Sequence, residues 1–324
     1  MPSLKEIKTR IASVQNTRKI TSAMKMVASS KLHHAQTAIQ NMLPYGNQLE
    51  HILKAFLLCT QEAQTAFGQE HNEVKRAALI VFSSNGSLCG GFNGNVIRMM
   101  QQTIEEYKSQ GITDIIIYPV GRKVSERVVK MGYKPAGDFF DLADKPNAKE
   151  CREIAEEVSK KYVNHEFDKV ELIYHHFKSA GSQILIRKTF LPIDLSTESI
   201  GLDNDRDLTS NVATAKAQEY LRKKGAGQGG RSEEETKPLN DDFIVEPDLE
   251  SVLTVLIPKQ LHLMVYTALL DSVASEHAAR MVAMQTATDN ADEILRDLNL
   301  QFNKSRQAAI TNELLDIVGG SVNN

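Results

Sequence analysis

Apolar positions at the start of the chain follow the spacing of a coiled coil. Steps of three and four residues alternate there, as in the seam along which one helix packs against another. The seam positions are Leu4, Ile7, Ile11 and Val14. A strict heptad would next bury Arg18 and Lys25, so we predict instead that the stripe drifts to Ile20, Met24 and Val27 and that the supercoil is irregular.

The first helix has a defined start and a predicted interruption. Ser3 and Glu6 form a capping-box pattern, in which each side chain bonds the backbone N–H of the other residue. We therefore predict helix from Leu4 onward. The tripeptide Pro44–Gly46 is expected to interrupt it before a helical pattern resumes over Leu49–Leu58.

From Val74 the pattern changes to short apolar runs separated by turns. Such runs between helical patterns predict buried strands of an α/β domain, beginning with a β-α-β unit. We predict strands at 77–82, 115–118, 170–177 and 183–190, and helices at 95–110, 122–130 and 148–162. A polar tract follows over 195–240. It contains a predicted short helix at 213–224, and an edge strand is predicted at 243–245.

A second long helix is predicted after Pro247. Pro258 is expected to kink this helix without ending it, because apolar positions continue on both sides. Gly319 and Gly320 are expected to end it. Its predicted apolar stripe comprises Ala287, Ala291, Ile294, Leu298 and Phe302.

Composition supports two long terminal helices. The chain has 18 Gly and 9 Pro, but none of them lies in Ser3–Leu43 or Lys259–Val318. Both stretches exceed the usual helix of roughly 8–20 residues. Residues 1–40 carry seven Lys or Arg and one Glu, whereas residues 259–324 carry five Lys or Arg and eight Asp or Glu. The two predicted helices are therefore electrostatically complementary.

Composition also argues against several classes of protein. No run approaches about 18 consecutive apolar residues and the start lacks the apolar core of a secretory signal, so we predict neither a membrane span nor export. Cys59, Cys89 and Cys151 suit neither a disulfide framework nor a zinc site, and a reducing compartment is expected. The first helix is basic, but the chain has no Trp and the helix has no interleaved aromatic residues, which argues against nucleic-acid binding.

One loop has the composition of a phosphate site. Residues Gly86–Gly94 are rich in glycine and lie between a predicted strand and a predicted helix, where such sites occur. The glycines do not fit G-x-G-x-x-G, the P-loop lysine is missing, and Tyr118–Gly121 offers no acid for a ribose. Nucleotide binding and a purely structural turn that needs glycine both remain open.

Other reactive side chains do not form a catalytic set. Cys89 would need a nearby histidine to act as a nucleophile, and otherwise is a small buried residue. His175 and His176 point to opposite faces of a predicted strand, so at most one can serve. The pair His33–His34 diverges on a helix, and the consecutive residues Ser275–His277 cannot build a triad. We therefore expect no catalytic residues, no cofactor and no metal.

Several segments together resemble the gamma subunit of the F-type ATP synthase. Ile11–Thr21 and Ala23–Ala28 are similar to the N-terminal signature of that family. Ala274–Met284 and Asn303–Thr311 are similar to its C-terminal signature, and Leu88–Asn93 to its central motif. The resemblance implies an α/β fold plus a long antiparallel coiled coil, in which the N- and C-terminal helices form a shaft beside a Rossmann-like domain. The implied domains are the shaft helix 1–60, the central domain 74–246 with a flexible insertion at 195–240, and the shaft helix 248–324.

The resemblance also implies a function and partners. The family forms the central rotor stalk, which couples proton-driven rotation of a membrane c-ring to the conformational cycle of catalytic beta subunits. The implied partners are three alpha subunits, three beta subunits, the epsilon subunit and the c-ring. The chain itself would be non-catalytic and would lie at the cytoplasmic face of the bacterial inner membrane, bound through the complex. The absence of a presequence favours a bacterium over an organelle.

Positions in the family motifs imply roles for individual residues. Residues expected along the part of the shaft that couples to the beta subunits are Met24, Arg280, Arg306, Gln307 and Thr311. Basic residues expected to face an acidic beta segment are Lys5, Lys8, Arg10 and Lys25. Residues expected to turn in an apolar bearing are Ile310, Leu314, Leu315, Ile317 and Val318.

Two departures from the family pattern leave questions open. Asn85 stands where many relatives have Asp, so a role for that carboxylate is in doubt. The 195–240 insertion is longer than in compact relatives and, unlike the insert of chloroplast members, contains no cysteine, which excludes a thiol switch. Two other functions remain as alternatives. One is a Rossmann-like nucleotide-binding enzyme with helical arms, and the other is a passive coiled-coil adaptor.

Overall fold

The computed structural model of the chain describes residues 3–59, 67, 74–193, 245, 246 and 248–322. The side chains of 57–59, 249 and 316–322 are not described. The chain divides into two units, one formed by Met1–Ala28 with Arg280–Asn324 and the other by Ser29–Ala279. The polar tract at 195–240, its helix at 213–224 and residues 243 and 244 of the predicted edge strand lie outside the described residues.

The first helix, α1, spans Leu4–Cys59. The predicted capping box is confirmed, because the Ser3 N–H donates to Glu6 Oε2 at 3.0 Å and the Glu6 N–H donates to Ser3 Oγ at 3.3 Å. The predicted interruption at Pro44–Gly46 is wrong, since α1 continues through it. Pro44 lies on the exposed side of the helix, whereas Gly46 is buried. Packing of the buried side therefore outweighs the cost of a proline inside a helix, about 3 kcal/mol.

The central domain contains a four-stranded mixed sheet with the order β2-β1-β3-β4. Strand β1 pairs parallel to β2 and β3, and β3 pairs antiparallel to β4. The strands are β1 at Arg76–Phe82, β2 at Asp114–Val120, β3 at Lys169–Ser179 and β4 at Ser182–Leu191. The predicted strands and the β-α-β unit are confirmed, each within a few residues.

Four helices accompany the sheet. They are α2 at Phe92–Ser109, α3 at Arg122–Lys130, α4 at Phe140–Asp144 and α5 at Ala148–Val163. The short helix α4 was not predicted, because its five residues are too few to show a helical period. The other three helices agree with the predictions.

The core lies against β1. Ala77, Leu79 and Val81 alternate along this strand, are fully buried, and share one apolar cluster with Val96 and Met100 of α2. The remaining side chains of β1 beyond Arg76 are buried as well, because both faces of the sheet are covered. This explains the continuous apolar run by which the strand was predicted.

The last helix, α6, spans Leu249–Val322. It continues through Pro258, as predicted, but also through Gly319 and Gly320, so the predicted end at these glycines is wrong. Glycine weakens a helix by only about 1 kcal/mol and does not block it. Part of α6 between Glu250 and Leu315 is long and apolar enough to cross a membrane by length and composition alone. Half of that window is buried inside the protein, as in a core helix, so this is weak support for a membrane span.

Candidate functional site: the coiled coil of the first unit

The first unit pairs the start of α1 with the end of α6 along one strict heptad. On α1 the heptad positions are Leu4, Ile7, Ile11, Val14, Arg18, Thr21, Lys25 and Ala28, and all but Arg18 are buried or half-buried. On α6 the matching heptad positions, all of them buried or half-buried, are Met284, Thr288, Ala291, Leu295, Leu298, Phe302, Ser305 and Ala309. The predicted drift of the α1 stripe is therefore wrong. On α6 the predicted Ile294 is 46% exposed, and its neighbour Leu295 packs in the seam instead.

Three polar layers explain how the heptad accommodates Arg18 and Lys25. Arg18 Nε lies 2.5 Å from Asp292 Oδ1. One turn further along α1, the hydroxyls of Thr21 and Thr288 are 2.9 Å apart. After another turn the Lys25 ammonium donates to the side-chain oxygen of Gln285. The partner positions fall along α6 as the α1 positions rise, so the two helices run antiparallel.

The same segment places apolar side chains on its outside. Ile20, Met26 and Val27 are 60%, 66% and 58% exposed. Ile20 and Val27 were predicted to lie in the seam, together with Met24, which is half-buried. Polar groups inside and apolar groups outside reverse the usual arrangement of a surface helix. Exposed apolar side chains in such a cluster are typical of a surface that contacts another protein.

The structure places the predicted coupling residues in two groups. Those at the start of α1 and near the end of α6 are exposed: Lys5, Lys8, Arg10, Arg306, Gln307 and Thr311. The antiparallel register brings Lys5 and Lys8 beside Arg306, because the first turn of α1 lies opposite residues 302–306. Met24, Lys25 and Arg280 are half-buried and form the second group, roughly 25 Å along the helix from Lys8. Lys25 does not present an open positive charge, since its ammonium is bonded within the seam.

The predicted bearing residues lie on the last part of α6. Ile310, Leu314 and Leu315 are 49%, 58% and 63% exposed. By the register of the polar layers these residues lie beyond Leu4, the first residue of α1. The side chains of Ile317 and Val318 lie outside the described residues.

Side chains in and beside the glycine-rich loop of the central domain form hydrogen bonds with the backbone of the loop. Ser84 Oγ donates to the Gly86 carbonyl at 2.6 Å, and Asn93 Nδ2 donates to the same carbonyl at 3.2 Å. Cys89 is 2% exposed and accepts a hydrogen bond from Asn93 at 3.2 Å. Beside the loop, a Cβ on Gly121 would lie 2.2 Å from the Ser83 carbonyl, so only glycine fits there. These contacts favour the structural turn over a phosphate site.

The histidines of β3 contact an aromatic ring and a carboxyl group. His175 stacks on Phe92 with ring centroids 4.4 Å apart, and burial lowers the pKa of His175 to about 4. His176 points to the opposite face, where its Nδ1 lies 2.8 Å from Asp271 Oδ2. Burial also raises the pKa of the Cys151 thiol to about 12. Among the residues with described positions, no cluster of His, Cys, Asp and Glu has the makings of a metal site.

Comparison with known proteins identifies the family. Residues 3–322 match the family described as ATP synthase. The ATP synthase gamma chain of Phocaeicola vulgatus is 51% identical over 322 residues, which cover 99% of this chain and all of that protein. The chain belongs to the ATP synthase gamma chain family.

Solved structures agree with this assignment. The central stalk and c-ring structure of the Tetrahymena thermophila mitochondrial ATP synthase contains a chain with 25% identity and a TM-score of 0.53, covering 83% of this chain and 99% of that one. A chain in the Euglena gracilis mitochondrial ATP synthase has a TM-score of 0.59 at 17% identity, with coverage of 98% and 93%. This gamma-type chain is thus the central stalk subunit of an ATP synthase, a membrane-associated complex.

The structure accounts for the departure from the family pattern at Asn85. Its Nδ2 donates to the Phe140 carbonyl and to Asp144 Oδ2, both at 2.7 Å, and its Oδ1 accepts from the Arg122 N–H at 2.9 Å. An aspartate in this place would set a carboxylate against another carboxylate and a carbonyl. The amide therefore suits Asp144 and joins the loop to α3 and α4.

Sequence reasoning missed the partners of the polar layers. Three residues of α6 pair with residues at least 260 positions away, and neither local spacing nor charge reveals such contacts: Gln285, Thr288 and Asp292. A signal was nevertheless present. Extending the strict heptad of α1 past Val14 predicts Arg18 and Lys25 in the seam, and polar seam residues require polar partners on the other helix.

Proposed function

We propose that the chain is the rotor that couples proton-driven rotation of a membrane c-ring to ATP synthesis in three beta subunits. The observation that carries this proposal is the coiled coil of the first unit, with polar layers in its seam and apolar side chains on its outside. A rotor must contact several partners in turn without binding one permanently. Only contacts that differ between conformational states can shift the equilibrium between them, and an asymmetric helix pair offers such contacts.

The chain is proposed to be non-catalytic by itself. Its partners are three alpha and three beta subunits that surround the coiled coil, the epsilon subunit and the c-ring, at the cytoplasmic face of the bacterial plasma membrane. Nucleotide chemistry belongs to the alpha and beta subunits. The loop around Cys89, whose polar groups form hydrogen bonds with one another, is consistent with that division. In these terms 1–60 and 248–324 are the shaft and 74–246 is the domain outside the ring.

The exposed basic group at the shaft end is proposed to contact acidic segments of the beta subunits. Lys5, Lys8 and Arg10 lie beside Arg306 and Gln307 in the antiparallel register, which concentrates positive charge on one stretch. Exposed ion pairs contribute about 0–1 kcal/mol each. Such contacts can guide a beta subunit without holding it, and Met24, Lys25, Arg280 and Thr311 complete the proposed coupling surface.

Replacing Arg306 and Gln307 by alanine tests the coupling surface. The double variant is expected to assemble and hydrolyse ATP but to pump fewer protons per ATP. Alanine at Arg296 and Asn299, which are also exposed on α6, serves as the control. Unchanged torque and unchanged pumping in the double variant would contradict the assignment.

The exposed apolar end of α6 is proposed to turn in an apolar bearing formed by the ring. Ile310, Leu314, Leu315, Ile317 and Val318 would provide it. The insertion at 195–240 is proposed to act as a brake or a partner contact. Deletion of 197–238 is expected to change ATP hydrolysis, assembly or proton pumping, and no change in any of the three would refute this role.

Co-purification separates the rotor from the two other candidate functions. The tagged chain is expected to retain alpha and beta subunits from a bacterial extract and to bind no nucleotide by itself. Tight nucleotide binding by the purified chain, without alpha and beta, would favour the Rossmann-like enzyme. A passive adaptor would co-purify but would not rotate.

A further inference from the structure

The contact between α6 and the central domain contains a buried polar anchor. His176 of β3 and Asp271 of α6 face each other with Nδ1 and Oδ2 2.8 Å apart, and their side chains are only 4% and 0% exposed. One turn further along the helix, Ser275 Oγ donates to the His175 carbonyl at 3.2 Å. Two successive turns of α6 are therefore bonded to two adjacent residues of one strand.

The strand that receives these bonds is itself held firmly. The ring of His175 stacks on Phe92 at the start of α2. On the same strand, Glu171 is bonded to Arg187 of β4 and Lys169. Burial of Glu171 favours its neutral form, but these hydrogen bonds outweigh burial and lower its pKa. The strand β3 is thus a fixed support for α6.

Every residue of α6 from Ala268 to Ala278 is buried, so the helix is surrounded on all sides. Close packing resists rotation of α6 about its axis, and the polar contacts to β3 add a direction that apolar packing alone does not have. Separating the buried Asp271 carboxyl from His176 would leave a polar group without its partner in a dry environment, which is costly. The pair therefore defines one rotational setting of α6.

We propose that Asp271 and His176 are positioning residues that fix the rotational setting of α6 in the central domain and so transmit torque between the domain and the coiled coil. This inference rests on the proposed rotor function. The helix α6 continues without a break from Asp271 into the coiled coil. Torque that enters through the domain reaches the coiled coil only if α6 cannot turn against β3.

The test compares ATP hydrolysis with ATP-driven proton pumping by the whole complex in inverted membrane vesicles. Asp271→Asn keeps the shape of the side chain but removes its charge. The variant is expected to hydrolyse ATP at close to the wild-type rate, while proton pumping per ATP falls to less than half. His176→Asn is expected to behave in the same way. The exchanged pair, His176→Asp with Asp271→His, is expected to restore most of the pumping.

The matched control is Glu171→Gln. Glu171 is 3% exposed and ion-paired on the same strand, but its bonds go to Arg187 and Lys169 and not to α6. The Glu171→Gln substitution therefore weakens bonds within the domain but leaves the contact between His176 and Asp271 in place. Proton pumping per ATP is expected to stay near the wild-type value.

Three results would overturn the proposal. The first is normal pumping by both Asp271→Asn and His176→Asn, and the second is an equal loss in Glu171→Gln. The third applies if the single variants fail to assemble: an exchanged pair that assembles but does not pump then overturns the proposal. An exchanged pair that assembles and pumps supports the proposal. A wild-type chain that fails to enter a pumping complex would instead refute the proposed function.

Discussion

The helix α1 follows one heptad through both units of the chain, over residues 4–28 and 29–56. The two segments differ in the polarity of their heptad positions and in how far these positions are exposed. In the second unit the seam is apolar, and Leu32, Ile39 and Leu53 have no exposed surface. In the first unit three consecutive layers are polar, and the side chain of Arg18 is 49% exposed. The same spacing therefore serves both an apolar, buried seam and a seam with polar, partly exposed layers.

The other helix shows the same contrast. From Ala268 to Ala278 every residue of α6 is buried, whereas between Ala291 and Phe302 only the heptad positions are covered. A helix buried on all sides is held by its surroundings, and a helix buried along one stripe leaves most of its surface available. The second unit therefore buries α6 on all sides, whereas the first unit leaves most of the helix surface exposed.

The largest expected effect is a proline in the open segment. Ala291→Pro places a helix breaker at a seam position that is 4% exposed, and is expected to reduce stability by about 3 kcal/mol or more and to abolish coupling. Helix content by circular dichroism and proton pumping by the complex measure these effects. Ala291→Gly is the graded control, with a cost of about 1 kcal/mol. Full pumping by the proline variant would show that the open segment need not be a continuous helix.

A matched pair of leucines on α6 tests the difference in burial. Leu261 has no exposed surface, whereas Leu300 is 56% exposed. Leu261→Ala is expected to lower the free energy of unfolding of the purified chain by about 3 kcal/mol. Leu300→Ala is expected to stay within about 0.5 kcal/mol of wild type. Equal losses in urea unfolding would remove the distinction between the two regions.

Acid is expected to destabilise the second unit selectively. Burial lowers the pKa of His175 to about 4 in the folded chain, against about 6.5 when unfolded. As pH falls between these values the unfolded chain gains a proton that the folded chain does not, so stability decreases, by up to about 3 kcal/mol. Protection from hydrogen exchange, corrected at each pH for the intrinsic exchange rate, is expected to fall in β3 before it falls at residues 4–28. The variant His175→Phe, which retains the ring against Phe92, is expected to flatten this pH dependence, and an unchanged dependence would contradict the assignment.

The smallest effect has the opposite sign. Lys25→Leu combined with Gln285→Leu replaces one polar layer by an apolar one and is expected to stabilise the open segment by about 1 kcal/mol, because apolar substitutes for buried polar pairs are often stabilising. Thermal unfolding of the purified chain measures this change, and Lys19→Leu, on the exposed side of α1, is the control. A loss of stability would show that the polar layer itself holds the helices together.

Local signals in the sequence predicted most of the fold. The capping box at Ser3, the strand run before the glycine-rich loop and the long stretches without Gly or Pro each depend on neighbouring residues alone, and the structure confirms them. The failures arose where distant residues compensate for an unfavourable local choice. Pro44 is tolerated because the buried side of α1 passes through Gly46, and Arg18 is accepted in the seam because Asp292 lies opposite.

The candidate site was less predictable from sequence than the fold. Motif positions predicted a coupling role for Lys25 and Arg280, but they did not show that Lys25 is bonded inside the seam. Nothing local to His176 indicates Asp271 as its partner, since the two are 95 positions apart. Their pairing requires the topology of the sheet and the antiparallel return of α6.

Rotation of single molecules tests the central claim most directly. Alpha and beta subunits of a bacterial relative would be fixed to a surface with this chain assembled in the ring, and a probe would be attached to its central domain at Lys134. The rotor account predicts that ATP turns the probe continuously in one direction and that the probe stops when ATP is removed. A complex that hydrolyses ATP while the probe stays still would contradict it.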